Sequence, residues 1–221
     1  MQDVTVVFDL DGTLVDTAPD LVNATNHVLT RQGLDPVAAC ELRPWVSFGA
    51  RRMIEEALAA HGIAQGQAEV DEMLAAFIVH YAANIAVDSR PFPGMIAALD
   101  RLKAAGARLS VCTNKRESLS RQLLAALGVM DRFAGLAGRD TFPVCKPDPA
   151  HVTGAIALAG GARDRAVMVG DSLNDVLAAK AAGVPVVAVS FGYTDIPAQD
   201  LGADIVIDHF SQLEAAIRRL V

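Results

Sequence analysis

The stretch VVFDLDGT, residues 6–13, decides how this chain is read. Val4, Val6, Val7 and Phe8 make a β-branched and aromatic run, the composition of a strand buried on both faces. That run ends in two carboxylates one residue apart, Asp9 and Asp11, followed at once by Gly12. Side chains at i and i+2 of an extended chain share a face, so both acids can point into one small volume. Two like charges that close disfavour each other's ionisation, so the pair needs a cation, a shared proton or screening water. A solvated Asp-Gly turn is one reading. A calcium loop is another, and it fails on register. Counted from Asp9, the sixth position is Leu14 rather than Gly and the twelfth is Asp20 rather than Glu. The third reading is a catalytic pair, which the rest of the chain must decide.

The 221 residues, 52% hydrophobic and 20% charged, suit a globular protein of one or two domains. A net charge of −7 without a basic stripe argues against nucleic-acid binding, and no apolar run is long enough to span a membrane. The expected partner is a small molecule, with the chain a monomer or homodimer. Cys40, Cys112 and Cys145 are odd in number and widely spaced, which fits reduced thiols in the cytoplasm and a packing role. His27, His61, His80, His151 and His209 stand singly and read as ordinary surface or partly buried residues.

After Asp11 the pattern turns helical. Leu21, Val22, Thr25, Val28 and Leu29 form one apolar face, with Asp16 or Thr17 as its cap. Met53, Ile54, Ala57 and Leu58 mark a second helix, and Val70, Met73, Leu74, Phe77, Ile78 and Tyr81 a third. RPFPG, residues 90–94, ends the helical run. Beyond it strands are expected at 108–112, 166–169, 184–189 and 205–207, with helices at 119–127, 173–182 and 212–220. Alternation of this kind predicts an α/β fold, a doubly wound parallel (Rossmann-like) sheet with ligands at the carboxyl ends of its strands. Residues 1–14 and 91–221 form the expected core, and 15–90 an inserted α-helical cap domain.

The carboxyl ends of those strands carry the chemistry. Strand one delivers Asp9 and Asp11, VCTNK delivers Thr113 and Asn114, VCKPDP delivers Lys146, and VGDSLND delivers Asp171 and Asp175. A carboxylate that attacks phosphorus splits one hard displacement into two, and a dianionic phosphate then requires positive charge nearby. Lys146 and a Mg²⁺ ion held by hard oxygens would supply it. Asp11 would protonate the leaving alkoxide and later deprotonate water.

FDLDGTLVD, CTNK, KPDP and GDSLND resemble, in order, the four motifs of the haloacid dehalogenase superfamily of aspartate-nucleophile phosphatases. The resemblance implies Asp9 as nucleophile and metal ligand, and Asp11 as acid/base whose main-chain carbonyl also binds Mg²⁺. It implies Thr113, Asn114 and Lys146 around the phosphoryl group, Asp171 on the metal, and Asp175 behind it through water or a hydrogen bond. A second carboxylate at Asp11 excludes the hydrolytic dehalogenases. A first lysine at Lys103 excludes the phosphonate-cleaving branch, which needs one in the insertion. DTAPDL, VSFGARRMIE, RPFPG, AGRDTF and FGYTD resemble the bacterial phosphoglycolate phosphatase family, with Ser47 where that family usually has Gly. That implies hydrolysis of 2-phosphoglycolate, within carbohydrate metabolism, through an aspartyl-phosphate. Arg51, at the start of a cap helix, is a candidate for the substrate carboxylate. The alternatives are a sugar-phosphate phosphatase, acting for example on N-acetylmuramic acid 6-phosphate, and a phospho-receiver signalling module. The second of these would be shorter and capless.

Overall fold

The computed structural model describes every residue except Gln65 and Asp195, the latter within FGYTD. It divides into two compact units, residues 1–16 with 91–221 and residues 17–90. In chain order the first elements are β1 (Thr5–Phe8), β2 (Val15–Asp16), α1 (Ala18–Arg31), α2 (Ala39–Leu42), α3 (Ala50–Ala60) and α4 (Gln67–Ala83). Next come β3 (Arg90–Pro91), α5 (Met95–Ala104), β4 (Arg108–Cys112), α6 (Glu117–Ala126), β5 (Gly135–Ala137) and α7 (Pro149–Leu158). The chain closes with β6 (Ala166–Gly170), α8 (Leu173–Ala181), β7 (Val186–Val189), β8 (Ile205–Ile207) and α9 (Leu213–Arg218).

Six strands form one parallel sheet in the order β5-β4-β1-β6-β7-β8. β1 is central: Val7 lies opposite Ser110 of β4 on one side and Met168 of β6 on the other. Its run VVF is fully buried, as an apolar strand flanked on both sides must be. The chain winds from β1 out to β4 and β5, then returns past β1 to β6, β7 and β8. That reversal opens a crevice at the carboxyl end of β1. Side chains alternate across the sheet. Val7, Cys112 and Met168 meet Val152, Ile156 and Val176 of α7 and α8 in one core cluster. α5 packs with α9 and against β4.

The sheet and its helices match the expected class, with three elements added. β5 is only Gly-Leu-Ala, too short and too small to carry a period; its pairing with Ser110–Cys112 makes it a strand. α5 and α7 were not anticipated either. α7 carries a legible start signal: Pro149 in its first turn, and Asp148 before it, whose side chain accepts from the Ala150 amide at 2.8 Å. β7 begins at Val186 rather than at 184, because Pro185 has no N–H to give the ladder; its carbonyl accepts from Met168 instead.

The second unit is helical. α1, α3 and α4 pack together through Leu21, Val28 and Leu29, Met53, Ile54 and Leu58, and Met73, Phe77 and Tyr81, the faces read from spacing. Asp20 is buried in α1 and accepts from the Ser89 hydroxyl at 2.6 Å and the Ser89 amide at 2.8 Å. This ties the first helix of the unit to its last residues. His27 and His80 stack with ring centroids 3.8 Å apart, and burial, then the neighbouring His27, lower the His80 pKa. Among the described residues no helix is long and apolar enough to cross a membrane.

Candidate active site

Asp9 leaves β1 with its amide bonded to the Val169 carbonyl of β6 at 2.9 Å, which fixes the residue at the central strand end. Its Oδ1 accepts from Lys146 Nζ at 2.7 Å, and the same ammonium reaches Asp175 Oδ1 at 2.6 Å. Asp175 spends its other oxygen on α8, accepting from the Ser172 amide at 3.0 Å and the Ser172 hydroxyl at 2.7 Å. Asp171 accepts from the Thr13 hydroxyl at 3.0 Å and from the Tyr193 amide at 2.8 Å. One oxygen from each of Asp9, Asp171 and Asp175 lies within 4.8 Å of the others, and all three residues are buried.

Three acids around one ammonium leave the cluster short of positive charge. Burial pushes the Asp9 pKa up to about 7; the Lys146 charge opposes the rise, and Asp175 and Asp11 add to it. Burial, then Asp9 and Asp175, hold the Asp171 carboxyl well above the usual range, against the Tyr193 and Thr13 hydrogen bonds. Burial lowers the Lys146 pKa, yet Asp175 and Asp9 outweigh it and keep the ammonium charged. A set of hard oxygen donors with excess negative charge fits a divalent cation that prefers oxygen. Two glycines leave the space for Asp171. A Cβ on Gly12, which also has φ +86°, would run into Asp171 Oδ2 and Tyr193, and one on Gly192 would strike the Asp171 side chain.

Asp11 stands apart from that cluster. Its carboxylate takes Lys115 Nζ at 3.0 and 3.2 Å. The question raised by two adjacent acids therefore has a direct answer: each is given its own ammonium.

At the end of β4, Thr113 is buried, its amide donates to the Ala137 carbonyl, and its hydroxyl accepts from the Lys115 amide at 3.2 Å. Asn114 Nδ2 donates to the Lys146 carbonyl at 2.9 Å, binding the two loops together. Its Oδ1 is buried without a partner among the described residues.

Several residues escaped the reading of the sequence. His151 is not a surface or half-buried residue: it is fully buried. Its Nδ1 accepts from the Lys146 amide at 3.2 Å and its Nε2 meets the Gly138 carbonyl at 3.0 Å. Burial, then Lys146, push its pKa down to about 4, so a neutral ring is held. Asp16, expected as a helix cap, accepts instead from the Tyr193 hydroxyl at 2.5 Å, and Thr17 takes the cap position. Lys115 had a signal, since it follows Thr113 and Asn114 directly. Tyr193 stood within FGYTD with no role read for it, and His151 had no signal. Cys112 is the inert packing residue expected, its thiol pushed up to about 12 by burial.

In the helical unit Arg51 pairs with Asp71, and its buried Nη1 lacks a partner among the described residues. The Ser47 hydroxyl, two residues ahead of the α3 N-cap Gly49, is likewise buried without one. Arg52 bonds Glu56 at 2.6 Å and lies 5.1 Å over the Trp45 ring.

This constellation of acids and a lysine at the central strand end of a parallel sheet has known counterparts. Residues 6–189 match the haloacid dehalogenase-like hydrolases, and the chain belongs to that family. It is a phosphoric monoester hydrolase within it. A phosphoglycolate phosphatase of Mesorhizobium japonicum is 50% identical over 208 residues, spanning 94% of this chain and 92% of that one. One of Agrobacterium fabrum is 48% identical over 211 residues, 96% and 91% of the two chains. The crystal structure of a protein from Haemophilus somnus, described as a predicted phosphoglycolate phosphatase, superposes with a TM-score of 0.90. Its identity is 30%, over 98% of both chains.

Proposed function

We propose that the protein hydrolyses 2-phosphoglycolate to glycolate and phosphate through an aspartyl-phosphate on Asp9. The observation that carries the chemistry is the Lys146 ammonium held between Asp9 and Asp175 at the end of β1. Asp9 attacks phosphorus in line: its Oδ–P bond forms as the bond to the glycolate oxygen breaks. Asp11 gives that oxygen a proton. Water then attacks the acyl phosphate, Asp11 takes its proton, and Asp9 is released with phosphate. Lys146, Thr113 and Asn114 hold the phosphoryl oxygens and offset their charge. Asp9, Asp171 and the Asp11 carbonyl would hold Mg²⁺, with Asp175 supporting them, and the ion would draw charge from the phosphoryl group.

Two observations support the substrate. Relatives at about half identity along nearly the whole chain carry that name. On either side of the α3 N-cap Gly49, the Ser47 hydroxyl and Arg51 Nη1 are each buried without a partner among the described residues, donors suited to a carboxylate beside a helix N-terminus. In this reading Arg51 exchanges Asp71 for the substrate carboxylate, and residues 15–90 serve as a lid. The three free cysteines suit a reducing cytoplasm.

The test is kcat/KM over a panel of 2-phosphoglycolate, N-acetylmuramic acid 6-phosphate, hexose phosphates and p-nitrophenyl phosphate, with Mg²⁺. 2-Phosphoglycolate should lead. A sugar phosphate in first place would replace the assignment and leave the chemistry intact.

A further inference from the structure

Lys115 is an expensive residue to place where it stands. Its side chain is 7% exposed, its partner Asp11 only 17%, and taking an ammonium out of water costs several kcal/mol before any pairing. A surface pair would serve stability equally well, so the burial calls for another reason. The residue is anchored along its main chain as well. Its amide donates to the Thr113 hydroxyl, and its carbonyl accepts from the Arg139 amide at 2.9 Å. A side chain rooted in a fixed backbone and bonded to both oxygens of a carboxylate sets where that carboxylate stands. Here it stands outside the Asp9, Asp171 and Asp175 cluster.

We propose that Lys115 is a positioning residue for proton transfer: its ammonium keeps the Asp11 carboxylate out of the cation cluster and available to the leaving oxygen. This rests on the role proposed above for Asp11. Without Lys115, the two bonds that hold the Asp11 carboxylate away from that cluster are lost, and proton transfer loses its geometry. The nucleophile, Lys146 and the phosphoryl contacts are untouched.

The experiment compares wild type, Lys115→Met, Lys115→Gln, Lys115→Arg and Asp11→Asn on two esters. Turnover of 2-phosphoglycolate needs a proton for a poor leaving group. The pre-steady-state release of p-nitrophenol needs almost none. Lys115→Met and Lys115→Gln should lose about ten- to a hundredfold in kcat on 2-phosphoglycolate, within the range of acid/base catalysis, and at least tenfold less on the p-nitrophenol burst. Lys115→Arg should recover most of the loss, since the guanidinium can hold the same two oxygens. Added to Asp11→Asn, the Lys115→Met change should cost little more, because residues acting as a unit are not additive. Calorimetric Mg²⁺ affinity and thermal midpoint, read on the same proteins, separate positioning from loss of fold. The proposal is overturned if the lysine variants slow both esters equally, or neither, while Asp11→Asn shows the leaving-group split. If Asp11→Asn itself shows no split, the acid/base role falls first and this inference with it.

Discussion

The Nζ of Lys146 lies 2.6 Å from Asp175, closer than the 2.7 Å that separates it from Asp9. Asp175 thus both orients the ammonium that faces the nucleophile and, through Ser172, closes the first turn of α8. Those two tasks separate by mutation. Asp175→Asn keeps an oxygen for Ser172 and loses the charge that anchors Lys146. Its kcat/KM should fall about tenfold or more, the value of a charge-assisted bond, with a nearly unchanged thermal midpoint. Asp175→Ala should lose the cap as well, costing about 1 kcal/mol more in stability. Equal stability of the two variants in urea melts would remove the capping role.

Three buried acids around one lysine should make the cation a stabiliser of the fold as well as a requirement for turnover. Mg²⁺ at about a hundred times its Kd should add roughly 2.7 kcal/mol, raising the thermal midpoint, and chelator should abolish activity. Asp171→Asn should blunt the rise in midpoint. Ca²⁺ should inhibit, its longer and looser coordination displacing the nucleophile. Full turnover in excess chelator would end the metal-dependent reading.

Asp9 and Asp11 should fail differently. Asp9→Asn should form no acid-stable, labelled phosphoenzyme from any ester. Asp11→Asn should still form it from p-nitrophenyl phosphate, while its turnover of alkyl phosphates falls by about a hundredfold or more. Identical losses on both esters would mean the two acids share one role.

The neutral His151 gives stability a pH dependence whose sign follows from its pKa. Folding lowers that pKa to about 4, so the unfolded chain takes up the proton first as pH falls. The contribution is present above the unfolded value of about 6.5 and is lost as pH drops toward about 4, up to roughly 3 kcal/mol. His151→Asn, whose side-chain oxygen can still accept from Lys146, should flatten the wild-type slope of urea stability across that window. An unchanged slope would assign the dependence to other groups.

Arg51→Ala should weaken 2-phosphoglycolate by about ten- to a hundredfold in kcat/KM and spare p-nitrophenyl phosphate, as the loss of one charge-assisted bond predicts. Arg51→Lys should recover only part. Its partner gives a second readout: Asp71→Asn frees the guanidinium and should tighten KM for 2-phosphoglycolate. A fall on both esters would assign Arg51 to the fold of the helical unit.

What the sequence determined by itself was the part of this protein carried by short-range pattern. VVF must be a buried strand, the i, i+3, i+4 stripes of 21–29 and 70–81 must be helices, and three of the four motifs must end strands of one sheet, with KPDP on a stiff loop. Those follow from periods of two and 3.6 residues and from the family likeness of FDLDGT, CTNK, KPDP and GDSLND. The tertiary structure alone decided which cation serves which acid. Lys146 is 137 residues from Asp9, and Lys115 is 104 from Asp11. No local pattern records such pairs, because they arise only when strands far apart in the chain become neighbours in the sheet. The same holds for His151 under Lys146 and for Tyr193 between Asp171 and Asp16. Burial gives these contacts their force, since the same charges in water would be screened and would leave each other's pKa nearly alone.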